Sequence, residues 1–392
     1  MKPVIHYLTT AAAIAEAAAH FATCPRIGLD LEFDDNRYRY GRHLALAQVW
    51  DGREAYLIDP LPLEPHMAAG LEPLFAVCRN PAVAKVFHSC KSDILLLDEL
   101  FGVHCRNIVD TSVQFSMLAA EDNNISLGRL IQDEMGIAVD KGEQKSNWLK
   151  RPLTEAQKAY AANDVIYLFD LADKLAARLA EMGRAHWAEE ENAALETVRF
   201  GRDETRPWAK NASKFKITPD EMPMFRELYM LRDTVARTLD RPAYHVMSNE
   251  AVADFARRPL STTTQLRNAN GLHPELKREP YASQLLALAT AELAPDGPAP
   301  GQLRHPPAFR RRLSGPAAHR AEARETLLLA LKAHLVADHS PVLANMVLSN
   351  RLIAEVVELG TVAALRPWQQ QLLRETADAH RLDYTKIADT FA

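Results

Sequence analysis

Hydrophobic positions in the first 120 residues follow two periods. Ile27 to Phe33 and His43 to Trp50 place apolar side chains in alternation or in short runs, as strands do, and Glu54 to Ile58 does the same. Asp51-Gly52 supplies the hairpin turn between the last two. Ala84 to His88 is another short apolar run, followed by helical spacing at Leu95, Leu96 and Leu100, and Asp110 to Ala120 predicts a further helix. Strands interleaved with helices make this an α/β domain, and three consecutive strands at one side make its sheet mixed. Ala11 to Ala19 imitates a signal peptide, but Glu16 interrupts it and Thr9 or Thr10 can cap it, which predicts an amphipathic N-terminal helix.

From about residue 120 onward the pattern turns helical. Thr154 to Met182 reads as one long helix after Pro152, with Thr154 as its N-cap. Met224 to Leu239 is an amphipathic helix stopped before Pro242, and Ser248 to Arg258 is stopped by Pro259. Breaker-rich or polar stretches at 201–218 and 295–318 read as linkers, the second holding six prolines and three glycines between Pro295 and Pro316. The expected partition is an α/β domain over 1–200, a helical domain over 219–294 and a second over 319–392. A weak repeat connects the two helical parts: in each, a helix runs to a proline (Pro242, Pro341) and a Ser-Asn pair follows (Ser248-Asn249, Ser349-Asn350). Chance similarity between two helical bundles is the alternative.

Composition narrows the class. With 47% hydrophobic and 25% charged residues over 392 positions, the chain is a folded multidomain protein, and no apolar run reaches the ~18 residues of a membrane helix. A cytoplasmic monomer is the expectation. The four cysteines lack any Cys-x-x-Cys spacing and read as free thiols. The net charge of −5 divides unevenly: residues 1–200 hold 20 Lys+Arg against 29 Asp+Glu (−9), and residues 201–392 hold 26 against 22 (+4). An acidic metal-binding half beside a mildly basic, polyanion-binding half fits that split. Arg232, Arg237, Arg257 and Arg310 to Arg312 are candidate phosphate contacts, and a chain ending near Lys216 is expected to fold by itself.

The candidate chemistry lies in carboxylates. Period-two alternation sets Asp30 and Glu32 on one face of a hydrophobic strand, where burying both without a cation is costly. A metal site removes that cost; a solvent-facing strand end is the alternative, and Asp34 and Asp35 just beyond read as solvated loop residues. In the long helix, i,i+4 spacing puts Tyr160 and Asp164 on one side. Between them, His88-Ser-Cys-Lys-Ser-Asp93 passes from a strand end into a helix, a usual place for ligand-binding groups in α/β sheets.

Three ordered motifs, Ile27-Gly-Leu-Asp30-Leu-Glu32-Phe33, Lys85-Val-Phe-His88-Ser-Cys-Lys-Ser-Asp93 and Tyr160-Ala-Ala-Asn-Asp164-Val-Ile-Tyr-Leu168, closely resemble ribonuclease D, in the tyrosine-bearing branch of the DEDD exonuclease superfamily. The run Gly142-Glu-Gln144-Lys-Ser146-Asn-Trp148-Leu-Lys-Arg151-Pro152-Leu-Thr154 resembles the segment that leads into the third motif. Leu31 departs from the small polar residue more usual there, and its side chain is expected to point away from the site. Phe225-Arg-Glu-Leu-Tyr229-Met-Leu-Arg232 resembles an HRDC domain, with Leu231 where an aromatic is usual; residues 320–392 resemble one more weakly.

The resemblance implies a ribonuclease H-like exonuclease domain with a mixed sheet, followed by all-α HRDC-type helical domains. It implies a metal-dependent 3′-to-5′ exoribonuclease that trims RNA 3′ ends, such as those of tRNA precursors, and releases nucleoside 5′-monophosphates. Asp30, Glu32, Asp93 and Asp164 would hold two divalent cations, Mg²⁺ or Mn²⁺, about 4 Å apart. Tyr160 would act on the attacking water, and His88, Gln144 and Trp148 are candidates for gripping the terminal nucleotide. The competing readings are a DNA 3′-5′ exonuclease and a catalytically silent RNA-binding protein; the intact carboxylate set argues against the second.

Overall fold

Six strands, β1 (Val4–Leu8), β2 (Arg26–Asp35), β3 (Arg42–Trp50), β4 (Glu54–Ile58), β5 (Ala84–Phe87) and β6 (Ile108–Asp110), form one sheet in the order β1-β4-β3-β2-β5-β6. The computed structural model describes residues 3–118, 125–140, 142–201, 207–293 and 316–388. β1 runs parallel to β4, β3 antiparallel to β4, and β5 parallel to both β2 and β6, so the sheet is mixed. Hydrophobic pattern alone does not reveal β1 and β6. β6 has only three residues, and β1 leaves Val4 and Ile5 exposed, which blurs the alternation.

Contacts divide the chain into two compact units: Met1–Glu32, Leu44–Phe200 and Ala308–Ala392 in the first, Phe33–His43 and Gly201–Pro307 in the second. In the first, helices α1 (Ala11–Phe21), α2 (Met67–Arg79), α3 (Lys91–Phe101), α4 (Thr111–Met117), α5 (Leu127–Met135), α6 (Glu155–Ile166), α7 (Leu168–Glu181) and α8 (Ala185–Leu195) accompany the sheet. Thr10 caps α1 through its hydroxyl, and Asp110 caps α4; the expected end of that helix at Ala120 lies outside the described residues. The helix expected to run unbroken from Thr154 to Met182 is interrupted at Tyr167. There the peptide N–H turns to the carbonyl of Val165, so the α-helical ladder is interrupted between α6 and α7.

The second unit contains α9 (Ala209–Lys214), α10 (Met222–Thr238), α11 (Ala243–Val246), α12 (Asn249–Arg257), α13 (Thr263–Asn268) and α14 (Tyr281–Ala287). The stretch at 201–218, expected as a linker, instead folds as α9 over residues 209–214 and buries Trp208, Ala212 and Ile217 in this unit's core. The turn Phe33–His43 also belongs here. Tyr40 packs on the core and donates its hydroxyl to Asp233 at 2.8 Å, while Arg39 pairs with Asp240 at 2.7 Å. Asp34 is buried and not a solvated loop residue: its carboxylate accepts the peptide N–H groups of Arg37, Tyr38 and Arg39, which folds the turn tip around it. Asp35 is exposed and pairs with Arg42.

Helices α15 (Pro316–Asp338), α16 (Pro341–Val347), α17 (Asn350–Leu359), α18 (Pro367–Ala379) and α19 (Thr385–Ala388) fall in the first unit. They share one core with α7 and α8. Trp187 stacks on Trp368 at 4.9 Å between centroids, and Glu191 accepts from the Trp368 indole at 2.9 Å and pairs with Arg366 at 2.7 Å. The residues 295–315, most of the proline-rich stretch, lie outside the described residues, as do Arg310 to Arg312.

The two Ser-Asn pairs do the same local work. Ser248 caps α12 and Ser349 caps α17, and the following asparagine accepts from a cation on the preceding long helix: Asn249 from Arg232 at 2.8 Å, Asn350 from Lys332 at 3.1 Å. Arg232 is therefore a buried structural residue and not a phosphate contact.

Candidate active site

Alternation along β2 sends Ile27, Leu29 and Leu31 into the core on one face and leaves Gly28, Asp30 and Glu32 on the other. Leu31 thus points away from the acids, as the alternation requires. The acidic face is turned toward α6. A Cβ at residue 28 would stand 3.2 Å from the carbonyl oxygen of Val165 and 3.1 Å from Cβ of Trp50, so glycine permits the close approach of strand and helix. That approach delivers Asp164, the neighbour of Val165, to the strand.

Asp30, Glu32 and Asp164 consequently converge, each offering an oxygen within 4.8 Å of the others. Asp93 is buried in the first turn of α3, and its charge reaches Glu32. Burial raises the pKa of Asp30, against the hydrogen bond from the Leu31 peptide. Burial also raises Glu32, reinforced by Asp30, Asp164 and Asp93, and raises Asp164, reinforced by Asp30 and opposed by the Tyr160 hydrogen bond. Among the described residues no cationic side chain offsets these charges at Asp30, Glu32 or Asp164. Hard oxygen donors converging without a counter-charge suit a divalent cation, and the residues present fit one.

The flanking elements are fixed by side chains that periodicity does not mark. Asp110 accepts the N–H groups of Ser89 (2.9 Å), Cys90 (2.8 Å) and Ser112 (2.8 Å) and the Ser112 hydroxyl (2.7 Å), which turns the chain from β5 into α3 through Ser89 at φ 59°. Burial alone would raise Asp110, but those bonds outweigh it and hold its pKa below the ordinary carboxylate value. At α6, Thr154 and Gln157 form a capping box, and Gln157 also donates to Ser146 at 2.9 Å. Arg151 grips buried Asp59 at 2.5 and 2.8 Å and the Ala45 carbonyl at 2.7 Å, which ties the segment before α6 to the sheet. Tyr160 hydrogen-bonds Asp164, and burial followed by the charges of Asp164, Glu32 and Asp30 pushes its phenol well above the ordinary value.

The three candidates for nucleotide contact fall differently. His88 is partly buried with both nitrogens engaged: Nδ1 lies 2.9 Å from Thr111 Oγ1, and Nε2 donates to the Ile125 carbonyl at 3.1 Å. Trp148 is buried among Leu57, Leu153 and Ala161, with its ring centroid 6.0 Å from that of Tyr160. Gln144 is exposed on a turn.

Comparison with known proteins decides the family. A 3′-5′ exonuclease model matches residues 5–180, and an HRDC domain model matches residues 221–288. Ribonuclease D of Xanthomonas oryzae pv. oryzae is 34% identical over 255 residues, covering 65% of this chain and 68% of the relative. Ribonuclease D of Pseudomonas paraeruginosa is 30% identical over 307 residues, covering 78% of this chain and 79% of the relative. The chain belongs to the ribonuclease D family. Its activity is hydrolytic, 3′-5′ exoribonuclease activity. The ribonuclease D fold is matched along nearly the whole chain by Escherichia coli RNase D, "an exoribonuclease involved in structured RNA processing". The TM-score is 0.68 at 23% identity, with 97% of this chain and 100% of that one covered. The catalytic core of RRP6 from Trypanosoma brucei shares the fold at TM-score 0.65 and 21% identity, covering 74% of this chain and 79% of that one.

Proposed function

We propose that Asp30, Glu32, Asp93 and Asp164 hold two divalent cations, Mg²⁺ or Mn²⁺, at the point where the 3′-terminal phosphodiester is hydrolysed and a nucleoside 5′-monophosphate leaves. The convergence of three carboxylate oxygens within 4.8 Å, without an offsetting cationic side chain among the described residues, carries this reading. Divalent cations in such a site acidify water and neutralise charge gathering on the phosphate. Tyr160, hydrogen-bonded to Asp164 and with its phenol pKa raised by burial and the neighbouring carboxylates, would orient the attacking water. RNA with a free 3′ end, tRNA precursors among them, is the proposed substrate, and the enzyme acts as a cytoplasmic monomer. Gln144, the exposed one of the three contact candidates, is the one proposed to meet the terminal nucleotide.

The two helical segments, residues 219–294 and 319–392, serve as RNA-holding HRDC-type domains. Their shared Ser-Asn cap and cation motif supports that parallel. The test uses matched RNA and DNA oligonucleotides with defined 3′ ends, with and without EDTA. RNA shortening that stops in EDTA and returns with Mg²⁺ or Mn²⁺ supports the reading. Undiminished hydrolysis in chelator, or preference for DNA, overturns it.

A further inference from the structure

Gln48 is fully buried in β3, and neither Nε2 nor Oε1 of its side chain has a hydrogen-bond partner among the described residues. A primary amide shut away from water with both ends unpaired is costly, and buried polar groups are nearly always bonded. Its position is set by its neighbours. The link from β2 to β3, residues 36–41, is too short for a parallel crossover, so the two adjacent strands run antiparallel. The 3.1 Å approach of a Gly28 Cβ to Cβ of Trp50 makes these two cross-strand partners, and two steps along each strand put Gln48 opposite Asp30 on the same face. The same Gly28 Cβ position lies 3.2 Å from the Val165 carbonyl of α6, so Trp50, and with it Gln48 two residues away, faces the layer that holds the acidic cluster.

We propose that Gln48 is a positioning residue for the metal site. When the carboxylates are loaded, its Nε2 donates to an oxygen of Asp30 and holds that carboxylate in its ligating orientation, and Oε1 is left to accept from water at the same cluster. The inference rests on the metal-site reading above. Carboxylate ligands need such outer partners, and loss of one typically weakens metal binding by about 10- to 100-fold.

The test is calorimetric titration of Mn²⁺ into the full chain, wild type against Gln48→Met and Gln48→Leu, with thermal unfolding of each metal-free protein. The expected result is about 10- to 100-fold weaker Mn²⁺ binding in both variants. Their metal-free Tm should be equal to or above wild type, since no existing bond is lost. Wild-type Mn²⁺ affinity in a folded variant overturns the proposal and makes Gln48 a packing residue. If Gln48→Met lowers the metal-free Tm as much as it weakens binding, the role is structural and the proposal also fails. Wild-type protein that binds no Mn²⁺ would instead overturn the underlying metal-site reading, which Asp30→Asn measured alongside makes distinguishable.

Discussion

In the proposed metal site Glu32 and Asp164 would carry opposing demands: their charges would hold a bound cation and repel each other without one. Glu32→Gln or Asp164→Asn should therefore raise the metal-free Tm, as removal of strain at a functional site commonly does. The wild-type protein should gain about 2.7 kcal/mol at Mg²⁺ a hundredfold above Kd, and the variants should lose most of that gain. Thermal melts across a Mg²⁺ series check this, and a full wild-type response in a variant means that the replaced residue does not hold the ion. Tyr160 is separable from the ligands, because its ring packs beside Trp148 while its hydroxyl reaches Asp164. Tyr160→Phe keeps the ring, so kcat should fall on the order of 10²-fold with little change in the Mg²⁺ response of Tm. Parallel loss of both would make the phenol a prop for Asp164.

At the scale of elements, Asp110 gathers β5, α3 and α4 and thereby places Asp93. Asp110→Ala leaves three peptide N–H groups without their acceptor and should cost about 3 kcal/mol in urea denaturation. The pH sign follows from its lowered pKa: its contribution is present above the ordinary carboxylate range and is lost as pH falls through the folded value. Asp110→Asn should accordingly show a shallower decline of stability on acidification than wild type; an identical profile would mean the carboxylate charge contributes nothing. Periodicity made Asp30, Glu32 and the Tyr160–Asp164 pair legible, because a two-residue or four-residue step fixes which side chains share a face. It could not reveal Asp110 or Asp34, whose roles depend on peptide groups brought to them by turns. His88 shows the same limit: its partner, the Ile125 carbonyl, is 37 residues away. The break at Tyr167 is equally hidden, since the helical spacing continues through it.

For the whole molecule, a chain ending at Lys216, expected to fold by itself, would lose packing partners. Such a chain strips Trp187 of its Trp368 stack and Tyr40 of Asp233. It should melt well below the full chain and bind a hydrophobic dye, whereas a cooperative melt at the full-length Tm would contradict the shared core. The charge split of −9 and +4 remains testable in the intact protein. Replacing Arg310, Arg311 and Arg312 with alanine should make the slope of log K against log salt for single-stranded RNA shallower by roughly 0.7 per lost phosphate contact, and an unchanged slope removes them from the RNA path.

The central claim, that one half-buried carboxylate cluster removes nucleotides from RNA 3′ ends with divalent cations, is tested most directly by length-resolved digestion of 5′-labelled, 3′-tailed RNA over a Mg²⁺ series. Wild type and Asp164→Ala are compared side by side. The expected result is a ladder shortening one nucleotide at a time from the 3′ end, with a rate that rises with Mg²⁺. In Asp164→Ala the rate should be lower by several orders of magnitude, because a misplaced ion no longer meets the phosphate. Internal cuts, a Mg²⁺-independent rate, or wild-type turnover in Asp164→Ala would contradict it.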